Sequence, residues 1–177
     1  PSELSRLKSG AKLAEELSFQ GRAIELTRAR LSPEKGLLGF VGGPLTLFFY
    51  AAAGSHKGDL TPAHTGLKNG TYIGFVEKLL DLLAHNMAIQ ARAGADTVAV
   101  LDTCGGELTP EQFKKFVVPA LDSLFERFHE LCPGFPIAYY SKGTSSAHWQ
   151  HLSSLPISCL GIDWNQNLAQ TLSDFGD

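Results

Sequence analysis

One stretch decides the fold of this chain: Gly36-Leu37-Leu38-Gly39-Phe40-Val41-Gly42-Gly43-Pro44-Leu45-Thr46-Leu47, followed by Tyr50 three residues later. The segment 37–41 is apolar, carries no charge and is bounded by glycines, which predicts a short buried strand. Gly42 and Gly43 predict a tight turn, and Pro44 suits the first position of a helix, where no N–H is needed. The stretch therefore predicts a strand that enters a helix through a bare backbone loop, whose amide groups can face an anion.

The composition indicates one globular domain. The chain has 177 residues, of which 44% are hydrophobic, enough for the core of a single domain over residues 1–177. A net charge of −3 argues against a nucleic-acid partner, which would require a basic surface. The three scattered cysteines, with no secretory signal and no apolar run of about 20 residues, predict a soluble cytoplasmic protein with reduced thiols and no membrane partner.

Hydrophobic periodicity predicts four strands that alternate with helices. We expect the strands at 37–41, 96–101, 136–140 and 158–162, and the helices at 2–31, 44–53, 72–93, 109–131, 147–152 and 168–175. The polar segment 54–70 is expected to be a long surface loop. This order predicts a parallel sheet with right-handed crossovers. Because a closed eight-stranded barrel needs about 250 residues, the chain is either a small open sheet or part of a larger barrel.

Four segments, in the same order, resemble the uroporphyrinogen decarboxylase family: Phe40–Leu47 with Tyr50, Leu101–Leu108, Tyr139–Gly143, and Gly161–Trp164 with the Leu168-Ala169 helix start. Leu45 stands where the family usually has Trp, a difference expected to alter packing rather than chemistry. The resemblance covers nearly all of the chain. It implies an α/β fold, a partial TIM (β/α)8 barrel of about four consecutive βα units with parallel strands, and it makes residues 1–177 the central portion of the enzyme.

The resemblance also implies an activity and a set of substrate-binding residues. The family removes the four acetate carboxyls of uroporphyrinogen III, giving coproporphyrinogen III in haem biosynthesis, without a metal or organic cofactor. Tyr50 and Thr103 would each offer an O–H donor to a substrate carboxylate. Phe40 would pack on the macrocycle, and the backbone of Gly42 and Gly43 would let it approach closely.

The resemblance implies that the catalytic residues lie outside this chain. The family's Arg-rich segment and its pyrrole-binding aspartate would precede residue 1, and its late histidine would follow residue 177. We therefore expect no catalytic residue here and negligible turnover by the chain alone. The family is typically a homodimer, so a homodimer is expected as well.

Each candidate residue also has a simpler structural interpretation. Tyr50 on an apolar helix is commonly a core or surface aromatic, and Thr103 after a strand is commonly a turn residue. Asp102 is expected to cap nearby N–H groups rather than to act as an acid or base. Lys142 is either solvated or part of an ion pair at the barrel mouth. Asp163 is expected to accept structural hydrogen bonds.

A metal site and two other functions stay open at this stage. His148 and His151 could bind a metal with Cys104 or Cys159, but no tight ligand pair supports such a site. The other histidines of interest, His56 and His64, are expected to be exposed. One alternative is a non-catalytic half-barrel interaction module, because a partial barrel exposes sheet edges. The other is a relative of the zinc-dependent corrinoid methyltransferases, although their His-x-Cys pair does not occur in this sequence.

Overall fold

A computed structural model describes residues 4–8, 10 and 12–176. The strands are β1 (Leu38–Gly42), β2 (Thr97–Asp102), β3 (Ile137–Ser141) and β4 (Cys159–Gly161). The helices are α1 (Lys12–Glu15), α2 (Ser18–Arg28), α3 (Pro44–Ala53), α4 (Thr61–Lys68), α5 (Thr71–Arg92), α6 (Pro110–Leu131), α7 (Ser146–Trp149) and α8 (Leu168–Phe175). Single 3-10 turns cover Leu4–Arg6 and Gly105–Glu107. None of the helices in the described ranges is both long enough and apolar enough to cross a membrane.

The four strands form one parallel sheet in the order β1-β2-β3-β4, with each strand beside its neighbour in sequence. Phe40 pairs with Ala99, which pairs in turn with Ala138. Sequential parallel strands joined through helices are the arrangement of consecutive βα units in an α/β barrel. The prediction of four parallel strands in a partial barrel is confirmed.

The two faces of the sheet have different surroundings. On the helix-covered face, Val98, Val100 and Tyr139 are completely buried beneath α5 and α6. On the opposite face, which we call the open face, Leu38 is 51% exposed and Phe40 is 60% exposed. Because helices lie outside the strands of a barrel, the open face corresponds to the barrel interior.

The N-terminal helix was predicted too long. Of the predicted helix at 2–31, residues 2, 3, 9 and 11 lie outside the described residues. The rest contains the first 3-10 turn and the separate helices α1 and α2. Gly21 allows α2 to lie close to α5, because a Cβ there would approach the Ile89 side chain to 2.7 Å.

The prediction of a long surface loop at 54–70 was wrong, because this segment contains α4. Ala63 and Leu67 are buried, so the helix contributes to the core. Gly66 permits this packing, since a Cβ at that position would lie 2.4 Å from the ring of Phe48. Polar residues surround Ala63, Gly66 and Leu67 in the sequence, so the short apolar face of α4 gave no recognisable helical pattern.

Candidate functional site

A cavity of about 210 Å³ lies at the carboxyl ends of β2 and β3. Three segments supply its walls: the loop after α3, the loop after β2 and the loop after β3. The lining residues are His56, Lys57, Thr103, Gly106, Glu107, Lys142 and Gly143. The carboxyl ends of the strands are where α/β barrels place their active sites, so this cavity is the candidate site.

Two glycines bring the loops after β2 and β3 into backbone contact. The Gly106 N–H donates to the carbonyl of Lys142 at 2.8 Å, and a Cβ on Gly106 would lie 2.7 Å from the Cα of Gly143. Gly143 has φ +72°, a conformation that glycine adopts without strain. The floor of the cavity is therefore bare backbone.

Asp163 fixes the far side of this floor. Its carboxylate accepts the N–H of Gly143 at 2.7 Å and the N–H of Asn165 at 2.8 Å. The hydrogen bond from Gly143 lowers the pKa of Asp163 below its ordinary value. Asp163 thus has the hydrogen-bonding role expected from the sequence. The ammonium group of the neighbouring Lys142 lies 5.3 Å from the centre of the exposed Trp164 ring.

Thr103 lines the cavity, whereas Tyr50 is connected to it only through His56. Thr103 follows the last residue of β2 and lines the cavity directly. Tyr50 is on α3, and its hydroxyl lies 2.5 Å from Nδ1 of His56, which lines the same cavity. The structure therefore associates both predicted hydroxyl groups with one cavity, one as a wall and the other through His56.

The turn after α3 places His56 beside Tyr50. Gly54 ends the helix with φ +72°, and its N–H donates to the carbonyl of Tyr50 at 2.9 Å. The hydroxyl of Ser55 then accepts the N–H of Lys57 at 3.0 Å, which tightens the turn. The chain folds back over its own last helical turn as a result, and His56 is half-buried rather than exposed as expected.

Phe40 and Gly42 lie on β1, away from the walls of this cavity. Phe40 is on the open face, where its ring is available for contact. Gly42 is half-buried, and a Cβ there would lie 2.9 Å from the side chain of Leu47. These two residues are close to each other in β1, but neither forms part of the wall that contains Thr103.

Gly43 makes room for a carboxylate of the chain itself. It is buried, its N–H donates to Leu101, and a Cβ there would lie 2.5 Å from Cγ of Asp102. We expected the substrate to approach the backbone at Gly43 closely. In the structure the side chain of Asp102 occupies that position instead. Gly43 shapes the strand ends, and a ligand does not reach it without displacing that side chain.

Asp102 is the anion at the start of α3. Its Oδ1 accepts the N–H of Thr46 at 2.8 Å and the Thr46 hydroxyl at 2.7 Å, and the same hydroxyl accepts the N–H of Cys104 at 3.1 Å. The carboxylate is completely buried, and this burial raises its pKa to about 6 despite the bonds from Thr46. The interpretation of Asp102 as a cap for nearby N–H groups is confirmed.

The titration of Asp102 predicts a distinctive effect of pH on stability. The folded pKa of about 6 exceeds the ordinary value of 3.8, so the native chain binds this proton more tightly than the unfolded chain. The contribution of Asp102 to the free energy of unfolding is therefore greatest below about pH 4. It falls by about 2–3 kcal/mol as pH rises through 6.

The variant Asp102→Asn isolates this effect. Its amide oxygen can still accept both bonds from Thr46, but the side chain carries no charge to bury. We expect the variant to be about 1–2 kcal/mol more stable than wild type at pH 7, with the difference vanishing near pH 4. Urea unfolding at several pH values measures this difference. A variant less stable than wild type at pH 7 would contradict the account.

The sequence did not predict that these charged residues would line one cavity. Lys57 and Lys142 contribute two ammonium groups and Glu107 contributes one carboxylate, so the walls carry net positive charge while the chain as a whole carries −3. The spacing of glycines at 54 and 58 around His56 and Lys57 was a usable signal for a tight return turn, although it did not indicate where the turn would point.

His148, one of the two histidines considered for a metal site, has other partners. His148 is buried, with Nε2 lying 3.0 Å from the carbonyl of Leu108 and Nδ1 accepting the N–H of Ser145 at 3.2 Å. Cys104 is also buried, and burial raises the pKa of its thiol to about 11, which disfavours the thiolate that a metal requires. Within residues 4–8, 10 and 12–176, no three His, Cys, Asp or Glu side chains are grouped as a metal site.

Comparisons with known proteins show the family to which this chain belongs. The family model described as Uroporphyrinogen decarboxylase (URO-D) matches residues 1–177. A uroporphyrinogen decarboxylase from Dictyostelium discoideum is 29% identical over 164 residues, covering 92% of this chain and 45% of that protein. One from Francisella philomiragia is 26% identical over 176 residues, covering 98% of this chain and 50% of that protein. The chain thus spans about half the length of these relatives.

A structural neighbour supports the fold. A methyltransferase from Methanosarcina mazei superimposes with a TM-score of 0.78 over 98% of this chain and 50% of that protein. At 14% identity the likeness shows a shared fold alone. The match to the family model over the whole sequence is more specific, and it shows that this chain belongs to the uroporphyrinogen decarboxylase family of carboxy-lyases.

Proposed function

We propose that the protein containing this chain is a uroporphyrinogen decarboxylase, which removes the four acetate carboxyls of uroporphyrinogen III to give coproporphyrinogen III in haem biosynthesis. The observation that carries the proposal is the cavity at the strand ends, in a chain that the family model matches from end to end. Because the chain spans about half of its relatives, the reaction is proposed for the whole protein.

The charge of the cavity suits a substrate with many carboxylates. Lys57, Lys142 and Thr103 line the same cavity, so a carboxylate bound there would share it with two ammonium groups and an O–H donor. Hydrogen bonds between an ionised group and a hydroxyl are about twice as strong as those between neutral groups. In this proposal Thr103 and Tyr50 bind substrate carboxylates, and the two lysines attract them.

The chemistry proposed needs no cofactor. A pyrrole protonated on carbon serves as its own electron sink, so the protein has to hold the polyanion and stabilise the cationic intermediate electrostatically. The exposed ring of Phe40 would pack against the macrocycle. Gly42 would act indirectly, by making room for the side chain of Leu47 beside β1. Gly43 would act indirectly by accommodating Asp102. The catalytic groups themselves are proposed to lie outside this chain, which alone would not turn over substrate.

The oligomeric state, the location and the absence of other partners remain predictions. We expect the protein to be a homodimer in the cytoplasm, although relatives from Oryza sativa and Zea mays are named as chloroplastic. We also expect neither nucleic acid nor a membrane as a partner, because nucleic-acid binders are normally basic whereas this chain carries −3, and because the sequence has no apolar run of about 20 residues.

Binding of uroporphyrin, the oxidised and stable form of the substrate, tests the proposal on the chain as it stands. We expect the variants Tyr50→Phe and Thr103→Ala each to bind it about tenfold more weakly than wild type, because each loses one O–H donor to an ionised acceptor. Quenching of porphyrin fluorescence measures the dissociation constant. Controls are Tyr72→Phe, whose hydroxyl bonds to Phe116, and Thr65→Ala on the exposed side of α4.

The controls decide how the result is interpreted. If all four variants bind uroporphyrin equally, the ligand does not use the proposed hydroxyl groups and the site assignment fails. If wild type fails to bind uroporphyrin, the proposed substrate is contradicted for this cavity. In a separate assay of coproporphyrinogen formation, ordinary turnover by the chain alone would refute the expectation that its catalytic groups lie elsewhere.

A further inference from the structure

A hydrogen-bonded pair at the edge of the cavity is not explained by the site residues predicted from sequence. The hydroxyl of Tyr50 lies 2.5 Å from Nδ1 of His56, with the ring centres 5.5 Å apart. His56 lines the cavity together with Thr103 and Lys142. The imidazole therefore connects the phenol to the cavity that a carboxylate would enter.

The pair limits what Tyr50 can do when the imidazole is neutral with Nδ1 unprotonated. A phenol has one hydrogen, and donating it to Nδ1 leaves Tyr50 with nothing to donate to a carboxylate. A proton on Nδ1 reverses the bond, because His56 then donates to the phenol oxygen. The phenol hydrogen becomes free to point at an acid group, and the imidazolium adds positive charge to the cavity.

We infer that His56 is a further substrate-binding residue, and that Tyr50 and His56 together form a carboxylate subsite that takes up a proton when it is filled. In this step Nδ1 of His56 gains one proton from solvent. The phenol keeps its O–H bond and donates its hydrogen bond to the bound carboxylate instead of to Nδ1, so no covalent bond to the ligand forms or breaks. The inference rests on the proposed function for the identity of the natural ligand, but not for the chemistry of the subsite.

The charged groups that line the same cavity as His56 favour this coupling only when an acid is bound. Lys57 on the same loop and Lys142 on the loop after β3 oppose a third positive charge, whereas Glu107 on the loop after β2 favours it. A carboxylate ligand adds the negative charge that tips the balance toward the imidazolium. Asp102 is occupied elsewhere, since it is buried against Thr46.

Calorimetry with benzenetricarboxylate, a small polyacid, tests the subsite without requiring a tetrapyrrole. Titrations in two buffers of different ionisation enthalpy give the number of protons taken up per ligand. For wild type we expect the affinity to fall about tenfold between about pH 6 and about pH 8, which corresponds to an average uptake of about half a proton per ligand over that range.

The variant His56→Gln removes the titration but keeps a donor, because a glutamine amide can still donate to the phenol oxygen. We expect it to bind benzenetricarboxylate with less than about twofold change over the same pH range and with no proton uptake. His85→Gln is the matched control: this histidine on α5 bonds to the carbonyl of Asp81, and we expect that variant to keep the wild-type profile.

The outcomes separate this inference from the proposed function. If His56→Gln keeps the wild-type proton uptake, the subsite is overturned, whatever happens with uroporphyrin. If benzenetricarboxylate binds with His56-dependent uptake but uroporphyrin does not bind, the subsite stands and the tetrapyrrole substrate falls. If neither ligand binds to wild type, both are overturned.

Discussion

Reversing both lysines of the cavity, in the double variant Lys57→Glu/Lys142→Glu, is expected to weaken uroporphyrin binding about a hundredfold. Lys57 and Lys142 are the ammonium groups on the cavity wall, and replacing them leaves three carboxylates facing a polyanion. Like charges brought together at a binding site cost several kcal/mol. Fluorescence titration at about 0.05 M salt measures the loss, which should shrink at about 0.5 M salt because exposed charges are screened.

The control variant makes the same change in net charge at positions away from the cavity. The double variant Lys68→Glu/Lys114→Glu changes the charge of the chain equally, at exposed positions on α4 and α6. We expect it to bind uroporphyrin within about threefold of wild type, since long-range attraction is mostly screened. An equal loss in both double variants would mean that net charge, rather than the cavity, governs binding.

The variant Gly43→Ala is expected to destabilise the fold by about 3 kcal/mol, the largest stability effect of a single methyl group that we predict for this chain. Gly43 has φ −66°, so the backbone would accept alanine without strain. The cost comes from Asp102, because the new Cβ would lie 2.5 Å from its Cγ and 2.8 Å from Oδ1. Moving Asp102 breaks its bonds to Thr46, so overpacking and lost hydrogen bonds add together.

Gly36→Ala provides the matched comparison. Gly36 precedes β1, and the nearest atom to a Cβ there is a carboxylate oxygen of Asp96 at 3.9 Å. We expect this variant to unfold within about 0.5 kcal/mol of wild type in urea. If Gly43→Ala proves as stable as Gly36→Ala, the contact between Gly43 and Asp102 does not constrain the strand ends as described.

The order of elements could be predicted because local sequence signals agreed with one another. The Gly-Gly-Pro turn placed α3 with its correct bounds, and the apolar runs placed the first three strands within one residue. One exception, besides the N-terminal helix that was predicted too long, was α4, whose buried side is only Ala63, Gly66 and Leu67. A helix that packs through two small residues and one leucine leaves little hydrophobic periodicity for a sequence pattern to show.

The site was harder to predict than the fold because it depends on contacts between distant loops. Thr103 was predicted from its place after a strand, and it lines the cavity. His56 and Lys57 were assigned to a surface loop, and their proximity to Lys142 depends on how the turn after α3 folds back. The contact between Gly43 and Asp102 joins the ends of two strands, a relation that no local pattern encodes.

Mapping where uroporphyrin binds on the isotope-labelled chain shows whether the ligand occupies this cavity. We expect the amide NMR signals most perturbed at saturation to come from the cavity walls, at residues 56–57, 103, 106–107 and 142–143. The apolar hollow of about 340 Å³ lined by Leu47, Phe75 and Leu79 should remain unperturbed. Perturbation centred on that hollow, with the strand ends unchanged, would contradict the assignment of this cavity as the substrate site.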